Sequence, residues 1–126
     1  MKKKHIAILA FLFVVFCAAL ILQQSEAEVF DKRAIHEVMK DYIEEKTARG
    51  DGVYYIKREK TEFQAIHTDV VRRGRLYISC SEFVSGTDLY DVDFYIGTEY
   101  GKYMVVREVL HKKNGRKINE LLWKAP

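Results

Sequence analysis

Cysteine is scarce in this chain: there are two in 126 residues, Cys17 and Cys80. Cys17 falls in an uncharged amino-terminal run, so whatever domain follows has a single thiol. That domain can form no internal disulfide and must hold by packing alone. Proline occurs once, at the last position, which leaves every candidate strand free of a residue that cannot donate to a ladder. Also missing are a Ser-His-Asp elbow, a short metal-ligand spacing such as H-x-x-x-H, and a glycine-rich phosphate loop. Hydrolases, zinc enzymes and nucleotide-binding proteins that announce themselves by motif are thereby excluded.

Charge is absent from residues 6–22. Lys2, Lys3 and Lys4 precede that run, and Ser25 and Ala27 put small residues before a possible cut. The pattern is that of a signal peptide over residues 1–27, cleaved after Ala27. A run of 17 residues is also just long enough to span a bilayer, so the competing reading is an uncleaved membrane anchor. Cys17 follows Phe16 rather than a small residue, which argues against lipid modification. Either way the lysines stay in the cytoplasm and residues 28–126 form a single exported domain, periplasmic, secreted or held at the inner membrane.

One-sided charge is lacking as well. Without Lys2, Lys3, Lys4 and Glu26 the remainder keeps 18 basic and 17 acidic residues, a balance of +1. A nearly neutral exported domain gives no footing for nucleic acid. Its composition, 48% hydrophobic and 31% charged with eight Tyr and seven Phe, is that of a folded chain and excludes disorder over most of its length.

From residue 29 to 49, Phe30, Ala34, Ile35, Val38, Met39, Tyr42 and Ile43 form one stripe of helical period. Gly50 is placed as its C-cap. Alternating segments follow. Residues 53–57 read as a first strand and 63–71 as a second, with Arg58, Glu59 and Lys60 as the turn between them. Then come 76–81, 90–96, 103–110 and a last strand behind Asn114-Gly115, the strongest hairpin signal in the chain. The expected fold is α+β: one amphipathic helix on an antiparallel meander of about five to six strands. Helix then meander is, as an analogy of architecture, the general shape of cystatin-like exported domains.

In the strand 90–96, Tyr90, Val92, Phe94 and Ile96 share the buried face, while Asp91, Asp93 and Tyr95 share the other. A five-residue turn at 97–101 would set Phe94 against Met104, Val92 against Val106, Asp91 against Arg107 and Tyr95 against Tyr103. Leu76, Ile78 and Cys80 are expected to face the core, across an odd-numbered loop near Gly86. Glu108 is expected at the sheet's edge, and the second hairpin is expected to pair Val106 with Trp123 and Glu108 with Leu121.

On that register Tyr77, Ser79, Ser81, Asp91, Asp93, Tyr95, Tyr103 and Arg107 make one outer surface. Tyr77, Tyr95, Tyr103, Asp91, Asp93 and Arg107 are its candidate partner-binding residues, because tyrosines on a rigid sheet are suited to contact. Lys112, Lys113, Arg116 and Lys117 form a basic hairpin tip fit for an acidic partner or for solubility. His36, His67 and His111 lie far apart in sequence, and Cys80 reads as a small buried hydrophobe, so no metal site, catalytic residue or cofactor is assigned. The expectation is a non-catalytic protein- or peptide-binding accessory module of the cell envelope. The alternative is a small metal-dependent or acid/base hydrolase using Asp91, Asp93 and a histidine.

Overall fold

A computed structural model describes the backbone of residues 2–126, and the side chains of residues 7, 8, 10–16 and 32–126. The chain divides into two compact units, Met1–Asp31 and Lys32–Pro126. Helix α1 is Lys2–Arg49. The side chains of most of the expected signal or anchor segment lie outside those described. Among the described residues no helix is long and apolar enough to cross a membrane.

The second unit is α+β, a helix packed on a curled seven-stranded antiparallel sheet, a half-barrel. The strands are β1 Tyr54–Ile56, β2 Glu59–Ile66, β3 Val71–Arg73, β4 Leu76–Ser85, β5 Asp88–Glu99, β6 Lys102–Lys113 and β7 Arg116–Lys124. Their order is β1-β2-β4-β5-β6-β7, with β3 also on β4. β2 takes the 81–84 half of β4 and β3 the 76–78 half, so the single second strand expected over 63–71 is two strands broken at residues 67–70. The charged turn is tighter than expected too: Lys57 takes positive φ and Ile56 pairs with Glu59, which puts Glu59 and Lys60 in β2.

Ile35, Met39 and Ile43 are at most 3% exposed and stand one turn apart on the helix stripe that residues 32–49 contribute. They meet Phe83, Tyr90, Val92, Phe94, Ile96, Val105 and Leu110 in one core. At about 1.5–3 kcal/mol per buried side chain, those three helix residues alone stabilise the packing by roughly 5–9 kcal/mol. The helix ends through Asp51 and Gly52, both at positive φ, with Gly52 N–H donating to the Thr47 carbonyl. Gly50 matters differently from the expected C-cap: a Cβ there would sit 2.2 Å from the Val53 carbonyl oxygen.

The registers differ from expectation for identifiable reasons. Tyr100-Gly101 forms a two-residue turn with both residues at positive φ, the I′ pattern, so Glu99 pairs with Lys102 and β5 runs three residues past Ile96. With bulges between Tyr95 and Ile96 and between Asp91 and Val92, Phe94 faces Glu108, Tyr95 faces Arg107 and Asp91 faces Lys112. Asn114-Gly115 is the expected I′ turn, but bulges on β7 slide its hairpin until Glu108 faces Trp123 and Val109 faces Leu121.

The β4–β5 loop has two residues, Gly86 and Thr87, because Ser85 pairs with Asp88. An even loop inverts β4: Ser79, Ser81 and Phe83 face the core, and Ile78, Cys80 and Glu82 face away. Phe83 decides the face. Burying its ring, stacked on Tyr54 at 4.4 Å, outweighs burying a thiol and leaving the ring in water.

Glu108 is not at the edge. It is fully buried beneath the helix, where it accepts hydrogen bonds from the Tyr42 hydroxyl at 2.7 Å, from Lys46 Nζ at 2.8 and 3.0 Å, and from the Tyr54 hydroxyl. Burial and then the bonded Glu108 push the Tyr42 hydroxyl far above its ordinary range. Burial followed by the nearby Glu108 charge does the same to Tyr54. A buried carboxyl is tolerable only with such a full set of donors.

Candidate functional site on the far face of the sheet

The far face, opposite the core, carries a groove of about 460 Å³. It crosses from the β2–β3 break to β7. His67 and Asp69 come from the break, Cys80 from β4, Asp91 and Asp93 from β5, His111 from β6. The β4 inversion creates this grouping. Once Phe83 faces the core, Cys80 and Glu82 must share the face of Asp93 and Asp91, their direct partners across the β4–β5 ladder. His67 is held beside them by its backbone N–H, which donates to the Cys80 carbonyl at 2.8 Å.

The polar contacts converge. His67 Nε2 lies 2.8 Å from Glu82 Oε1, and His111 Nδ1 lies 3.3 Å from Asp93 Oδ2. Ligand atoms of His67, Cys80 and Asp91 all lie within 4.8 Å of one another. Asp91 Oδ1 is buried and accepts no hydrogen bond among the described residues. Burial first, then the charges of Asp93, Asp91 and Glu82 with an Asp93 hydrogen bond, push the Cys80 thiol up to about 12. At neutral pH that thiol is protonated and a poor nucleophile. Three carboxylates thus surround the thiol beside two imidazoles, while Arg73 and Lys112 also line the groove. Val71, Ile78 and Tyr95 supply apolar wall.

Of the six expected partner-binding residues, the structure brings Asp91, Asp93, Tyr95 and Arg107 to this face. Arg107 lies over the Tyr95 ring at 5.1 Å instead of opposing Asp91. Tyr77 and Tyr103 do not join them: both pack against the core on the opposite side, edge to face at 5.7 Å. Ser79 and Ser81, expected outside, are buried. The basic tip is split and partly tied down. Lys112 lines the groove, Lys113 lies over Tyr90 at 5.2 Å, and Asn114 bonds Leu89 N–H and Asp88, each at 2.8 Å. Arg116 and Lys117 remain exposed.

Sequence reasoning set Glu82 beside Asp91 and Asp93 but missed His67, Cys80 and His111 as members of the same cluster. The signal was available in the odd spacing between Cys80 and Phe83, since on one strand they cannot both face the core. No family model matches the chain, and no curated protein or solved structure matches it.

Proposed function

We propose that this chain is an exported, non-catalytic envelope domain that receives a cationic ligand in the far-face groove. The ligand class it fits best is a basic side chain presented by a protein or peptide. The observation that carries the reading is the convergence of Glu82, Asp91 and Asp93 around Cys80, with Asp91 Oδ1 buried and unpartnered among the described residues. An unpaired buried carboxylate oxygen costs free energy that a bound cation offsets. The adjoining wall of Val71, Ile78 and Tyr95 suits the alkyl stem of a lysine or a polyamine, whose apolar body and charged head need both surfaces.

Export is supported by the lysines at 2–4 and the uncharged run 6–22. Ile8, Phe11, Phe13 and Phe16 are all more than half exposed, a surface better suited to lipid or a translocation channel than to water. A helix leading into an antiparallel meander is also the order of cystatin-like exported domains, and that analogy of shape favours a binding role. Calorimetric titration of the full chain with spermidine and with a lysine-containing peptide tests the proposal. Saturable binding that is lost on combining Asp91→Asn with Asp93→Asn is the expected result. Binding indifferent to both substitutions would sink it.

A second reading has one observation in its favour, the His111–Asp93 contact at 3.3 Å beside the three clustered ligand atoms. A carboxylate that orients an imidazole next to a polarising centre is the arrangement of an acid/base hydrolase. Turnover of simple ester or phosphoester substrates that disappears with His111→Ala would establish it.

A further inference from the structure

We propose that His67, Cys80 and Asp91 bind a borderline-soft divalent cation of the zinc class at the floor of the groove. This rests on the reading of that groove as a cation-receiving site and names one particular cation chemistry for it.

The donor set comes first. A thiol, an imidazole and a carboxylate, with ligand atoms all within 4.8 Å of one another, is a mixed S, N, O combination. Calcium and magnesium prefer oxygen alone, whereas zinc takes all three donor types. Around tetrahedral zinc such donors stand about 3.3–3.6 Å apart, so ligand atoms now within 4.8 Å of one another need close by about 1.5 Å at most. That lies within the reach of small χ rotations and requires no backbone movement.

Placement is the second argument. Cys80 and Asp91 stand on adjacent paired strands of the sheet, and His67 is fixed to Cys80 through a backbone hydrogen bond of 2.8 Å. Ligands on rigid, mutually bonded elements are preorganised. The next layer is in place as well. Glu82 contacts His67 Nε2 at 2.8 Å, so with Nδ1 as the ligating nitrogen Glu82 would be the carboxylate that orients the ring. The third argument is the buried Asp91 oxygen, which among the described residues has no donor of its own.

Coordination by Cys80 breaks its S–H bond as the S–metal bond forms, and one proton leaves to solvent. Three protein ligands leave a fourth position for water or for a ligand's donor atom, the open geometry described for zinc sites that do more than staple a fold.

The test is Zn²⁺ titration of the full chain, against a chelator of known affinity and with a phosphine reductant. The expected result is one ion per chain, with Cys80→Ser, His67→Ala and Asp91→Asn each weakening binding by about 100-fold or more. Glu82→Gln should weaken it by roughly tenfold, as removal of an orienting partner does. His36→Ala, which removes a histidine on the helix side of the sheet, should change nothing. Co²⁺ supplies a readout specific to the thiolate: a sulfur-to-metal charge-transfer band in the wild type that is missing in folded Cys80→Ser. Zinc binding that survives Cys80→Ser, or no stoichiometric binding by a chain whose circular dichroism is native, overturns the inference. If spermidine binds in the groove and zinc does not, the metal site fails while the cationic-ligand reading stands. If neither binds, both fail.

Discussion

Glu108→Ala should destabilise the sheet unit by about 3 kcal/mol. The substitution removes a fully buried carboxyl that accepts from Tyr42, Tyr54 and, twice, Lys46. The Lys46 side chain is 35% exposed, so it turns to water and its loss is screened. Tyr42 is only half-buried and rehydrates in part. Tyr54, 1% exposed, cannot, and an orphaned buried hydroxyl costs about 1–3 kcal/mol. The vacated volume, roughly 50 Å³, adds about 1 kcal/mol at ~24 cal/mol per Å³. For a unit of this size the sum lowers Tm by roughly 15 °C.

Urea unfolding monitored by Trp123 fluorescence measures the effect. Adding Tyr54→Phe to Glu108→Ala should recover about 1–2 kcal/mol of the expected additive loss, because the orphaned hydroxyl is removed with it. Combining Glu108→Leu, Tyr54→Phe and Lys46→Met should restore near-native stability, as apolar replacement of buried ionic clusters does. A loss below about 1 kcal/mol for Glu108→Ala, with no coupling to Tyr54, would refute the buried network.

Cys80 should react with iodoacetamide on the order of 10³ times more slowly than a free thiol at pH 8, since a thiol pushed up to about 12 is almost wholly protonated there. Rates near that of free cysteine would contradict it. Tyr42 and Tyr54 titrate higher folded than unfolded, so their contribution is complete below pH ~10 and is lost as pH rises beyond it. An alkaline unfolding transition is therefore expected to weaken with Tyr54→Phe, and an unchanged transition counts against the assignment. Gly50→Ala should cost about 2 kcal/mol or more by thermal unfolding, because its methyl group meets the Val53 carbonyl at 2.2 Å; a neutral result would show that the turn relaxes freely. Asp91→Asn with Asp93→Asn should change metal-free stability by less than about 1 kcal/mol, or raise it, since it relieves crowded carboxylates.

Much of the architecture was legible because apolar spacing is a strong signal where bulky residues recur. Ile35, Met39 and Ile43 marked the helix stripe, and Tyr90, Val92, Phe94 and Ile96 marked the buried side of β5. Asn114-Gly115 marked its turn because two consecutive positive φ values are cheap for that pair. Tyr100-Gly101 does the same job with a tyrosine in the strained position, which turn chemistry alone does not announce. Bulges on β6 and β7 are invisible to alternation, and with the tight Tyr100-Gly101 turn they carried Glu108 from the expected edge into the middle of the core. The candidate site was half legible. Asp91, Asp93 and Tyr95 followed from β5. Cys80 and Glu82 depended on the parity of β4, where a thiol and a phenyl ring compete for one face and the ring wins; His67 depended on the break between β2 and β3, and His111 on a bulge of β6.

The central claim is that the far-face groove, floored by Cys80 and its carboxylates, is the working surface of the molecule. Amide chemical-shift mapping on the ¹⁵N-labelled full chain tests it most directly, with Zn²⁺ and spermidine added in separate titrations. The account predicts saturable shifts for at least one of them, centred on His67, Cys80, Asp91, Asp93 and His111, with Tyr54, Glu108 and Trp123 unmoved. Shifts centred on Tyr42, Lys46 and Trp123, or no saturable shift from either cation, would contradict it.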